Sequence, residues 1–126
     1  NITIGRTDLS NSYFDEEVTP DCEFIFDLIK TISDKVCLAG LTLTIGGSIT
    51  MESINRFRQK RENLEKHISS IETRKVILPV EIFLEKKHAL EEALRFEELY
   101  IRAKLETEQL LSKADRDRLE NLKLRI

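Results

Sequence analysis

The segment ALEEALRFEELYIRAKLETEQLL, residues 89–111, is built almost wholly from strong helix formers and constrains the chain more than any other feature. Leu90, Leu94, Ile101 and Leu105 form one apolar row along it, and Ala93, Phe96, Tyr100 and Ala103 form an adjacent row. An apolar face that wide predicts contact with two neighbours rather than one. With Pro79 at its first turn, the helix is expected over 80–126. Ser112-Lys113-Ala114-Asp115, which resembles a capping box, offers a break near 112.

Before Pro79 the apolar positions Ile54, Phe57, Leu64, Ile68, Ile71 and Leu78 follow a heptad spacing, with Arg61 and Lys75 at the two missing seam positions. The spacing predicts a second helix over 51–78, stopped by the proline. An earlier helix is expected over 19–39. Thr19-Pro20 suits its start, Ile25, Leu28, Ile29, Ile32 and Val36 form its stripe, and Gly40 suits its end. Between the two, Leu41-Thr42-Leu43-Thr44-Ile45 alternates strictly before Gly46-Gly47, which predicts a β-hairpin over 41–51. A three-residue loop at 46–48 would put its apolar groups on one face. Residues 1–18 read as a loosely ordered acidic lead-in.

The expected fold is therefore mainly α. A long antiparallel, coiled-coil-like helical hairpin carries an additional N-terminal helix and a small β-hairpin, in one helical domain over 1–126. Composition agrees: among 126 residues, 4 Gly and 2 Pro argue against a turn-rich β-sandwich, and 34% charged residues suit solvated helix faces. Two cysteines give neither a disulfide framework nor a four-thiolate metal site, and as reduced thiols they favour a cytoplasmic location. The uncharged stretch 36–51 is 16 residues long, short of the roughly 20 that span a bilayer, so no membrane span is expected. The chain begins Asn1-Ile2-Thr3 without Met and ends on apolar Ile126, which predicts that the natural polypeptide continues or packs there.

Charge is segregated. Residues 1–35 carry eight acids and three bases, 55–75 seven bases and three acids, 80–112 eight acids and five bases, and 113–126 five bases and three acids. A basic helix lying between acidic ones is the structural reading. The alternative is a nucleic-acid-binding regulator that touches phosphates through Arg56, Arg58, Lys60 and Arg61. Only Phe57 interleaves those bases as a stacking partner, and the net charge is −3, so the structural reading is favoured.

Catalytic constellations are sparse. His67 and His88 are the only histidines, and Glu85-x-x-His88 has no second copy of the kind a di-metal bundle needs. Gly46-Gly47 lacks the Lys-Ser/Thr of a phosphate loop, and Asp115/Asp117 lack the glycine of a calcium loop. No catalytic residue, metal or cofactor is expected. The expected function is a non-enzymatic interaction or assembly factor, with a protein partner or a second copy engaged through Ile54, Phe57, Leu64, Ile68, Ile71, Leu90, Leu94, Ile101 and Leu105.

Overall fold

The computed structural model describes residues 1–64 and 67–125, the side chains of residues 63 and 64 excepted. Leu64, Lys66 and Ile126, which entered the sequence expectations, lie outside the described residues and side chains. The protein is mostly helical, with a small four-stranded sheet and a long C-terminal helix. In order it runs β1 (Ile2–Gly5), α1 (Arg6–Asn11), α2 (Glu23–Leu38), β2 (Leu43–Gly46), α3 (Met51–Gln59) and α4 (Arg61–Leu64). It continues with β3 (Ser70–Glu72), β4 (Ile77–Pro79), α5 (Val80–Glu85) and α6 (Ala89–Leu124). The chain divides into two compact units, Asn1–Leu94 and Arg95–Ile126.

The first unit is built on a sheet of order β1-β2-β3-β4. β1 pairs parallel with β2, β2 parallel with β3, and β3 antiparallel with β4. Parallel neighbours need a crossover, and α1–α2 and α3–α4 supply the two. The register sorts the side chains onto two faces. Ile4, Ile45, Ile71 and Leu78 lie in one cross-strand row; Thr3, Thr44 and Ser70 lie in the next, on the opposite face. The apolar row is buried at its centre, where Ile45 and Ile71 converge with Phe57, Ile68 and Val80. Ile25 and Ile29 of α2, Ile54 and Phe57 of α3, and Phe83 and Leu84 of α5 belong to the same core. On the other face hydroxyls bond across strands, with Thr44 Oγ1 and Ser70 Oγ 2.7 Å apart.

Several expectations are corrected here. The lead-in 1–18 is not loose throughout: residues 2–11 form β1 and α1, and Ile2-Thr3-Ile4-Gly5 repeats the alternation of Leu43-Thr44-Ile45-Gly46 and lies beside it in register. No hairpin forms over 41–51. The alternation there belongs to β2, whose two neighbours are both parallel, and Gly46-Gly47 leads into a helix rather than a return strand. Gly47 has φ +86°, and Thr50 caps α3 with a reciprocal capping box to Ser53.

The helix over 51–78 stops at Gln59. A short α4 follows, then β3 and β4, which make the protein's hairpin, closed by Thr73 N–H donating to Val76 O at 2.8 Å. Ile54 and Phe57 point into the core from a helix, Ile71 from a strand, and the sevenfold spacing that joined them was a coincidence of the two. The segment 68–73 is rich in β-branched and hydroxyl residues, which favour a pleated surface once a neighbouring strand is there to pair with. Consequently no antiparallel helical hairpin spans 51–126.

The first helix starts later than expected, at Glu23, with Cys22 at its N-cap. Its expected stripe faces inward, with Ile25, Ile29 and Val36 buried. Gly40, at φ +71°, ends it in the left-handed conformation that glycine adopts at no steric cost, while Leu41 N–H reaches back to Val36 O. The expected third helix is interrupted at 86–88 instead of 112. From Ala89 it runs unbroken to Leu124, 36 residues, a length of about 54 Å at 1.5 Å per residue.

Candidate interaction surface

Two regions concentrate polar chemistry or exposed apolar surface. The first lies at the carboxyl ends of β1 and β2, where open parallel sheets commonly place their ligands. Gly5 and Gly46 end the two strands, and Arg6 follows Gly5 with 0% of its surface exposed. Its guanidinium is tied down on both arms. Nη1 donates to Asp21 Oδ1 at 2.6 Å and to Pro20 O at 3.0 Å. Nη2 donates to Gly47 O at 2.9 Å, Ser48 O at 3.2 Å and Ser53 Oγ at 3.1 Å. Ser53 Oγ in turn donates to Asp21 Oδ2, and the Arg6 cation lies 5.2 Å from the Phe57 ring centroid.

Burial lowers the pKa of Arg6, while the hydrogen bond and charge of Asp21 oppose that shift. Only Nε is without a hydrogen-bond partner, and it is buried. Such a guanidinium joins β1, the loop before α2, and the β2–α3 turn; it offers no solvent-accessible donor to a substrate. Nearby, Thr7 Oγ1 and Ser48 Oγ are 2.7 Å apart, and Glu72 ends β3 against Gly46.

The histidines each meet one carboxylate. His67 Nε2 is 3.3 Å from Asp34 Oδ1, and His88 Nδ1 is 3.1 Å from Glu91 Oε2. Among the described residues no group of three or more His, Cys, Asp or Glu side chains could hold a metal ion. Cys22 and Cys37 are free thiols.

The second region is α6. From Leu94 to Leu124 each of its eleven large apolar residues is between 39% and 86% exposed. Two apolar rows run along this length, as the spacing indicates: one through Leu94, Ile101 and Leu105, the other through Phe96, Tyr100 and Leu110. Ion pairs within the helix hold Glu98 between Arg95 and Arg102, and Lys104 beside Glu108. These pairs lower the Glu98 pKa, chiefly through its hydrogen bond from Arg102 and the charge of Arg95.

The residues expected to meet partners fall into two groups. Ile54, Phe57, Ile68, Ile71 and Leu90 are buried in the core of the first unit and present no surface to another molecule. Leu94, Ile101 and Leu105 are exposed on α6. The four cations of the nucleic-acid alternative are engaged within the chain. Arg56 lies 3.5 Å from Glu52, and Arg58 donates to Leu84 O and Asn55 Oδ1. Lys60 pairs with Glu23 at 2.7 Å and Arg61 with Glu85 at 2.6 Å. Arg58, Lys60 and Arg61 therefore brace separate elements, while Arg56 pairs within α3. Arg6, an ordinary charge in the sequence expectation, donates to five acceptors across the first unit. The signal for it was the repeat of Ile-Thr-Ile-Gly in Leu-Thr-Ile-Gly, which places Arg6 one step past a strand end.

Comparison of the chain with protein-family models, curated proteins and solved structures finds no match. Among the described residues no helix is long and apolar enough to cross a membrane.

Proposed function

We propose that the protein is a non-enzymatic interaction or assembly component that engages a protein partner through α6. The observation that carries this reading is the exposure of every large apolar residue from Leu94 to Leu124. Exposed apolar patches beyond a few hundred Å² mark interaction sites, because burying each such side chain is worth about 1.5–3 kcal/mol. Heptad-like spacing on a long helix suits a coiled-coil-like contact made in trans. The engagement of Arg56, Lys60 and Arg61 in ion pairs, and of Arg58 in hydrogen bonds, weighs against the nucleic-acid alternative, since phosphate binding would have to compete with them.

Site-specific photo-cross-linking in cells tests the proposal. A photoreactive residue at Ile101 or Leu105 is expected to join the chain to another polypeptide, and one at exposed Lys30 of α2 is not. Equal adduct yields from all three positions, or none from α6, would remove the reading.

A further inference from the structure

The two apolar rows of α6 differ in a way that assigns one of them a partner. The Leu94 row, continued at spacings of three and four, passes through Glu98, Glu108 and Asp115. The Phe96 row continues through Tyr100, Ala103, Thr107, Leu110 and Ala114 and meets no charge before Asp117. Its spacing alternates four and three, the a/d pattern of a helix pair, and its two alanines permit close approach. Every position of the Phe96 row is exposed.

The flanking charges then choose among partners. In a pair of parallel copies, a charge flanking the seam meets the charge five positions later on the other helix. That would set Lys113 against Arg118, a like pair. In an antiparallel pair with Ala103 opposite Ala114 of the second copy, flanking residues on the same side of the seam face each other. Glu97 then meets Arg118 and Glu106 meets Lys113, each twice by the two-fold axis, and no like charges flank the seam from 97 to 118. Glu97, Glu106, Lys113 and Arg118 are also charges that make no ion pair with another described residue of their own chain. The ion pairs inside α6 use other residues.

We infer that residues 96–121 of α6 pair antiparallel with the same segment of a second copy of this chain, through the seam of Phe96, Ala103, Leu110 and Ala114. This rests on the reading of α6 as an interaction helix and names its partner for one row. The Leu94 row stays on the outside of such a pair, open to a different protein.

Sedimentation of the full chain tests the pairing. The wild type is expected at twice the chain mass of 14.7 kDa. Leu110→Glu halves that mass while the helical circular dichroism persists. Glu97→Lys with Glu106→Lys halves it as well, and adding Lys113→Glu with Arg118→Glu restores it. Orientation is read with Cys22→Ser and Cys37→Ser as background. Oxidised mixtures of Ala103→Cys and Ala114→Cys chains form the mixed disulfide, and Ala103→Cys alone forms none. A monomer over a broad concentration range, a dimer indifferent to the charge reversals, or a disulfide between two Ala103→Cys chains would overturn the inference. The cross-links from Ile101 and Leu105 report separately on the interaction reading, because those residues lie outside this seam.

Discussion

Removing the Asp21 carboxylate would leave the Arg6 guanidinium buried with its three carbonyls, one serine and no counter-charge. Breaking one side of a buried ion pair costs about 3–5 kcal/mol, far more than an exposed pair is worth. Asp21→Ala is therefore expected to lower the urea midpoint strongly, whereas Glu85→Ala, which removes an exposed partner of Arg61, changes the unfolding free energy by less than about 1 kcal/mol. Gly47 carries a second constraint at the same junction. Its φ of +86° is strained for any side chain, and an added Cβ would stand 2.6 Å from Arg6 N and 2.7 Å from Thr7 N. Those are backbone atoms and cannot swing aside. Gly47→Ala is expected to destabilise by about 1–3 kcal/mol or more, seen as a lower midpoint with an unchanged slope.

Within α6 the pH dependence has a definite sign. Glu98 has its pKa lowered by Arg102 and Arg95, so the folded helix favours the ionised form. Its contribution is complete above the ordinary glutamate range and is lost as pH falls through the depressed value. The difference in helicity between wild type and Glu98→Gln should accordingly be present at neutral pH and vanish in acid, as circular dichroism would report. Because these side chains are open to solvent over much of their surface, salt should weaken the same difference.

The elements also show what local patterns can reveal. The stripe of α2, its stop at Gly40 and the helical nature of 89–124 follow from periodicity and propensity, which act between residues a few positions apart. The pairing of β1 with β2 does not, because the register of Ile2 with Leu43 is invisible to any short window. Alternation at 41–45 pointed correctly to a strand and wrongly to its neighbour. The spacing of Ile54, Phe57, Ile68 and Ile71 described inward-facing residues of a helix and a strand as though one helix held them all. For α6 the sequence identified both apolar rows; it could not say which of those residues are exposed, since exposure is not a property of a short window.

The protein as a whole combines a first unit with a buried core and a second in which a single helix leaves its apolar rows exposed. Self-pairing predicts a concentration-dependent pattern of hydrogen exchange. Amides of 96–121 should slow as the protein is concentrated, while those of β2, buried along its length, exchange at a fixed rate. Equal behaviour of the two segments would contradict the pairing.

The parallel arrangement of β1, β2 and β3 has a kinetic corollary. Only Ser70–Glu72 and Ile77–Pro79 are near neighbours along the chain, so that ribbon can close in microseconds. The first strand must wait for a loop of some forty residues to be drawn in before its amides find acceptors. Assembly of the sheet should accordingly proceed from its carboxyl-terminal edge inward, with Ile2–Gly5 docking late and the Arg6 tether closing over it afterwards.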